Sequence, residues 1–212
     1  MVDPEVGKVQ LSSSVTVRCY LEMERCKETK RLARFIEERL SERYITPLEA
    51  VCKEKKNGFL MMAASCLLIE TLVSFHEGWV TTDCGLTRSN IRDPCKPLNS
   101  KRNTISCGEV AICYFFERES SFACFRGYGT EFYKNVRCGI LHQGETRSGW
   151  KVRRSGPLFE PSKPRINATK FLAAVKAAVT AYARKLEAVP WEDDLWRNFR
   201  QKMDAVINNC KG

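Results

Sequence analysis

Residues 59–75 read FLMMAASCLLIETLVSF, and this stretch decides the fold of the chain. It is apolar nearly all round, with Glu70 as its single charged side chain, which is typical of a helix buried at the centre of a domain. Its length is at the short edge of what crosses a bilayer. No secretory signal opens the chain. We therefore interpret the stretch as the core helix of a soluble, cytoplasmic protein with no membrane partner.

Helical patterns continue on both sides of this stretch. Apolar residues recur at spacings of three and four before it, at Leu32, Phe35, Ile36, Leu40 and Tyr44. Thr46-Pro47 predicts a helix restart that runs to about Lys56, and Ser106-x-x-Glu109 is a capping-box pattern before another helix. Later helices are predicted from Glu131 to His142 with Gly144 as the cap, after Asn167, and from Pro190.

These elements predict an all-α protein, a compact bundle of five to seven helices. We expect one helical domain over residues 1–212, with residues 1–20 forming an extended N-terminal arm or a short strand. Two long loops interrupt the helices, over 80–104 and 145–166, and both are rich in lysine and arginine. Loops of this length are often functional.

The chain carries 35 Lys and Arg against 25 Asp and Glu, a net charge of +10. A basic surface attracts polyanions, so nucleic acid is the first partner to consider. Eleven cysteines include no Cys-x-x-Cys pair, and two histidines are present, so we predict no zinc site, no other metal and no cofactor. Reduced thiols of a cytosolic protein are the favoured interpretation of the cysteines.

One short stretch carries residues suited to chemistry. Residues 132–145 read FYKNVRCGILHQGE, in which four residues separate Arg137 from His142. This stretch resembles the motif of the HEPN superfamily, whose ribonuclease members carry an arginine, four to six residues and then a histidine. The resemblance implies a metal-independent endoribonuclease that acts on RNA as a homodimer. It also implies a defence or toxin–antitoxin setting, with an antitoxin or regulatory protein as a further partner.

The two residue types suit metal-free RNA cleavage. Histidine can take or give a proton near neutral pH, and the arginine fork can stabilise charge on the reacting phosphate. Five positions along an α-helix rotate by about 140°, so Arg137 and His142 do not share one stripe. Either the last turn unwinds, Arg137 reaches round its helix, or two copies meet and combine their motifs.

Other residues are candidates for supporting roles. Many active HEPN members carry a polar residue directly after the arginine, where this chain has Cys138. Asn135 and Gln143 are expected to supply that polar contact. Glu70 either pairs with Arg137 and orients it, or faces a polar edge of the bundle. Five cations fit contacts with phosphate or an ordinary solvated face: Lys134, Arg147, Lys151, Arg153 and Arg154.

Arg137 and His142 also have simpler interpretations, as a surface charge and a helix-capping side chain. The leading hypothesis, from the resemblance, is nevertheless a HEPN-type endoribonuclease. The alternative is a non-catalytic HEPN-like helical module that binds nucleotide, nucleic acid or a protein partner. The third hypothesis is a plain nucleic-acid-binding or scaffold protein, in which the basic loops bind nucleic acid and His142 has no role.

Overall fold

Helices form most of the structure, a computed structural model that describes residues 4–51, 57–91 and 103–210. The helical class predicted from the sequence is thereby confirmed. In chain order the α-helices are α1 Pro4–Lys8, α2 Val17–Arg25, α3 Thr29–Leu40, α4 Thr46–Val51, α5 Gly58–Glu77, α6 Cys107–Arg118, α7 Gly129–Phe132, α8 Cys138–Gln143, α9 Ala168–Ala188 and α10 Asp194–Asn208. Two π-helical turns, Ser41–Ile45 and Tyr133–Arg137, join α3 to α4 and α7 to α8.

Short strands lie in both of the predicted loops, so the description as purely α-helical needs correction. Strand β1 Gly85–Thr87 lies in the first loop and pairs antiparallel with β2 Thr104–Ser106, which begins at the last residue of that loop. The second loop contains β3 Lys151–Arg153, β4 Phe159–Glu160 and β5 Arg165–Asn167, with β5 in the middle. Strand β5 runs parallel to β3 and antiparallel to β4. Strands of two or three residues are too short to show an alternating pattern in the sequence.

The chain divides into two compact units. The first comprises the described residues of 1–47, 74–80 and 176–212, and the second those of 48–73 and 81–175. Helices α4, α5 and α9 contribute residues to both units. The single domain expected over residues 1–212 stays a prediction.

The first unit is built on an aromatic core. Tyr20 packs between Phe35 and Phe199, and Phe75 packs on Phe199 and Tyr182, with ring centroids 5.7–6.5 Å apart. These rings lie on helices whose apolar residues recur at helical spacing, and the predicted stripe of α3 is buried from Leu32 to Leu40. Burying this stripe drives the packing of the amphipathic helices.

Three predictions for the first unit need correction. The segment expected as an extended arm forms α1, a single bridge between Gln10 and Thr16, and the start of α2. Helix α4 begins at Thr46 as predicted, but Thr46 is not a cap, because the π-helical turn Ser41–Ile45 runs into α4 with no break in the helical backbone. The last helix begins at Asp194, not Pro190, because the Asp193 side chain caps it by accepting from Leu195 N. The helix end predicted at Lys56 lies outside the described residues.

The second unit contains a core cluster of phenylalanines. Five fully buried rings pack against one another, namely Phe116, Phe122, Phe125, Phe132 and Phe171. Phe159 of β4 stacks on Phe125 and on Trp150, which anchors the three-stranded sheet to this core. The small sheet and the helix from 129 to 143 are therefore held by one hydrophobic cluster.

Helix α5 is long and apolar enough to cross a membrane by length and composition. Two-thirds of its most apolar 18-residue segment is buried inside the protein, as expected for a core helix. Among the described residues no other helix meets the same criterion. Burial of α5 fits a soluble protein, and the cytoplasmic location stays a prediction.

Candidate functional site

The helix that carries the Arg137–His142 motif is formed as the sequence predicts. It runs without a break from Gly129 to Gln143, and Gly144 ends it in the left-handed conformation at φ 67°. The predicted helix from Glu131 to His142 and its glycine cap are thus confirmed. The π-helical turn Tyr133–Arg137 lies in its middle, with the Cys138 amide bonded to the Tyr133 carbonyl. Such wide turns are frequent at functional sites.

Arg137 forms a side-on ion pair with Glu70 of α5. Its Nε donates to Oε1 at 2.7 Å and its Nη2 to Oε2 at 3.1 Å. The side chains are 17% and 7% exposed, so this pair is largely removed from water. Of the two interpretations of Glu70, the structure therefore shows its pairing with Arg137 and not its placement at a polar edge of the bundle. Burial lowers the pKa of Arg137, but the hydrogen bonds and charge of Glu70 outweigh it and raise the pKa above its ordinary value.

Tyr133 and α6 enclose the ion pair. The Arg137 guanidinium carbon lies 5.4 Å from the centroid of the Tyr133 ring. A Cβ on Gly108 would lie 3.2 Å from the Glu70 carboxyl carbon and 3.1 Å from the Tyr133 ring. A glycine at this position thus gives the carboxylate and the ring room to approach the start of α6.

The predicted capping box before α6 is only partly correct. The helix begins at Cys107 as expected, but the Ser106 side chain makes no cap hydrogen bond. Its hydroxyl is instead 2.9 Å from the Tyr133 hydroxyl. Burial raises the pKa of Tyr133, while the bond to Ser106 lowers it. Tyr133, Ser106 and Gly108 were missed as site residues. The one signal in the sequence was the position of Tyr133, four residues before Arg137.

His142 lies on the exposed part of the same helix. No hydrogen bond, ion pair or ring contact joins it to Arg137 or to any other residue in the part of the chain that the structure describes. One chain thus holds Arg137 against Glu70 and leaves the imidazole in solvent. The two motif residues are brought onto one helix, but not into a direct contact.

Gln143 and Asn135 accept hydrogen bonds from Arg147, in the segment that follows the helix, and do not bind Arg137. Gln143 Oε1 accepts from Arg147 Nε at 3.0 Å, and the Asn135 carbonyl accepts from the Arg147 amide at 2.9 Å. Gly139 permits this return of the chain, because a Cβ there would lie 2.5 Å from the Glu145 carbonyl oxygen. The polar contact to Arg137 that we expected from Asn135 and Gln143 is not formed among the described residues.

The five predicted phosphate-binding cations fall into two groups. Lys134, Lys151 and Arg153 are exposed. The other two are engaged within the protein, since Arg147 binds Gln143 and Arg154 donates to Asn57 Oδ1 at 2.6 Å and Thr169 Oγ1 at 3.1 Å. Arg154 thus ties β3 to the starts of α5 and α9. Of the cations expected in the first loop, those between 92 and 102 lie outside the described residues.

A disulfide joins Cys84 to Cys107, with Cα atoms 5.7 Å apart. It extends the β1–β2 ladder by one position, where the Cys107 amide also donates to the Cys84 carbonyl. The expectation of fully reduced thiols is therefore wrong for this pair. The remaining cysteines of the described chain are free. The disulfide fixes the backbone beside Ser106, which binds the Tyr133 hydroxyl, and beside Gly108, which borders the Glu70 carboxylate.

Comparisons with protein-family models, with curated proteins and with solved structures find no match for this chain.

Proposed function

We propose that the chain is a metal-independent endoribonuclease of HEPN type. The fixed orientation of Arg137 is the observation that carries this proposal. An arginine has five N–H donors, and Glu70 takes two of them, so three remain for a phosphate group. A guanidinium that is already oriented stabilises developing negative charge without further reorganisation.

His142 supplies proton transfer in this proposal. It takes the proton from a ribose 2′-hydroxyl, whose oxygen attacks the neighbouring phosphorus as the bond to the 5′-oxygen breaks. A protonated imidazole returns a proton to that leaving oxygen. The products are a 2′,3′-cyclic phosphate and a 5′-hydroxyl, and no redox step or metal ion is involved.

Because Arg137 is held against Glu70 and makes no contact with His142 in one chain, the proposed site combines two copies. The Arg137 of one copy and the His142 of another would then border the same phosphate, as the family resemblance implies. The exposed imidazole supports this arrangement because no contact inside the described chain occupies it. RNA, a second copy and an inhibitory antitoxin are the partners expected with this function.

A non-catalytic HEPN-like binding module is the second candidate, and the ion pair itself favours it. The Glu70 carboxylate neutralises Arg137 within a largely buried contact. A neutralised guanidinium attracts phosphate less strongly than a free one. Under this hypothesis the ion pair only fixes the helix from 129 to 143 against α5. The exposed surface of that helix then binds nucleotide, nucleic acid or protein.

RNA cleavage in excess EDTA tests the first candidate. Wild type, His142→Ala and Arg137→Lys are each incubated with end-labelled tRNA, and the fragment ends are analysed. Arg137→Lys keeps a cation beside Glu70 but loses the fork. Cyclic-phosphate fragments from wild type alone support the enzyme. Equal cleavage by wild type and His142→Ala, or none by either, rejects it and favours the binding module.

Mixing the two inactive variants tests the composite site. A subunit pair of His142→Ala with Arg137→Lys retains one intact arginine and one intact histidine, on different chains. Activity that returns after mixing and refolding supports a site shared between copies. If the wild type cleaves but the mixture does not, the site lies within one chain. His142→Ala refolded alone is the matched control.

A further inference from the structure

The three-stranded sheet of the second unit has one cationic face. Parallel register pairs Lys151 with Arg165 and Arg153 with Asn167, so all four side chains project from the same side. Glu160 of β4 pairs with Arg165 and joins that side. Three cations and one carboxylate therefore share a surface that is only three strands wide.

The opposite face of the sheet is apolar and fixes this orientation. Phe159 and Ile166 are buried and lie opposite each other in the ladder, and Val152 is half-buried beside them. Slipping a strand by one residue would expose these side chains. The hydrophobic core thus forces the lysine and arginines of the sheet outward.

A cavity of about 80 Å³ opens on the cationic face. Its lining includes Arg153, Arg165, Glu160, Ser155, Gly156 and Asn167. Asn167 shapes the rim, because its Nδ2 donates to the Gly156 carbonyl at 2.9 Å and its Oδ1 caps α9 by accepting from the Lys170 amide. The volume is enough for a few water molecules or one tetrahedral oxyanion.

The electrostatics of the cavity favour an anion. Arg165 is paired with Glu160 at 3.7 Å, while Arg153 makes no hydrogen bond or ion pair within the described residues. The positive end of α9, a helix of 21 residues, begins next to Asn167. Two guanidinium groups, one of them unpaired, and the helix end outweigh the single carboxylate.

We propose that this cavity is a phosphate-binding site formed by Arg153 and Arg165. Guanidinium groups bind phosphate oxygens in forked geometry. Ser155 and Gly156, which line the cavity, are exposed to solvent. The phosphate belongs either to the backbone of single-stranded RNA or to a small phosphorylated molecule. The site does not use Arg137 or His142, so binding here is independent of the proposed cleavage.

Binding of two probes tests the site. Fluorescence anisotropy measures the affinity for a labelled oligouridylate, and calorimetry measures inorganic pyrophosphate. Arg153→Gln is expected to weaken binding about five- to tenfold. The number of phosphate contacts given by the slope of log K against log salt concentration should fall by about one. Glu160→Gln is expected to strengthen binding about twofold, because it removes the competing carboxylate.

Lys163→Gln is the matched control, an exposed cation in the same connection that does not line the cavity. Binding that depends on Arg153 but not on Lys163 supports the site. Oligouridylate as the preferred probe then assigns the phosphate to RNA, and equal or better pyrophosphate binding assigns it to a small molecule. Equal losses in both variants, or no binding by wild type, overturn the proposal. The cleavage assay has a separate readout, so either proposal can fail alone.

Discussion

Glu70 and Arg137 are 67 positions apart in the sequence, yet their side chains meet through two parallel hydrogen bonds of 2.7 and 3.1 Å. The pair joins the central helix α5 to the helix that carries the motif. Because both groups are largely buried, each one depends on the other to offset its loss of hydration. The pair is therefore expected to stabilise the packing of these two helices, as well as being part of a candidate site.

Removing one member of this pair is expected to destabilise the protein. Glu70→Ala or Arg137→Ala should each lower the free energy of unfolding by about 3 kcal/mol, because an uncompensated buried charge remains. The double variant should cost less than the sum of the two. Urea unfolding of all four proteins gives the coupling energy.

The ion pair of Glu160 and Arg165 is the control for that cycle. Its side chains are 36% and 29% exposed, so a coupling energy below about 1 kcal/mol is expected. Similar coupling in the two cycles would contradict the assignment of a special role to burial at Glu70 and Arg137.

Gly139→Ala is expected to displace the chain segment that follows the motif helix. The added Cβ would lie 2.5 Å from the Glu145 carbonyl oxygen, a backbone atom that can move only with its segment. We expect a loss of about 1–3 kcal/mol in the free energy of unfolding. Gly7→Ala is the control, since the atoms nearest to its Cβ belong to the flexible Arg18 side chain and the first lies at 3.4 Å. Equal stability of the two variants would show that the segment relaxes without cost.

The elements that could be predicted are those whose sequence repeats a pattern over several turns. Helix α5 was evident from its apolar run, and the Gly144 cap from a glycine after the last periodic residue. Asn167 caps α9 as expected. The strands were missed because a two- or three-residue segment carries no period. Phe159 of β4 packs on Phe125 and Trp150, a tertiary contact that the strand's own sequence does not encode.

The site could be predicted only in its local part. Arg137 and His142 lie on one helix, which the sequence shows. The choice of Glu70 as the partner of Arg137 depends on how α5 packs, and no local pattern encodes it. Ser106 illustrates the limit, because it precedes α6 as predicted but its hydroxyl meets Tyr133 and does not cap the helix.

Reducing the Cys84–Cys107 disulfide is expected to lower stability. It closes a loop of 23 positions, for which chain entropy predicts about 3 kcal/mol. Urea unfolding with and without a phosphine reductant measures the difference. Cys84→Ser should show the same loss without reductant and no further change with it. A reductant effect that persists in Cys84→Ser would place the sensitive bond elsewhere.

Glu24 gives the first unit a defined pH dependence. Burial, with the charge of Asp204 added to it, raises the pKa of Glu24 above 4.5. The folded protein therefore binds this proton more tightly than the unfolded chain does. This contribution favours folding at low pH and is lost as the pH rises through 4.5 toward the raised value.

Glu24→Gln should consequently have a higher melting temperature than wild type at pH 7, and this difference should shrink at pH 4. Thermal unfolding at the two pH values measures it. Glu22→Gln on the same helix is the control, because Glu22 is exposed and its substitution should shift both melting temperatures little. A gain for Glu24→Gln that is equal at pH 4 and pH 7 would mean that better packing of the amide, and not the ionisation of a buried carboxylate, stabilises the variant.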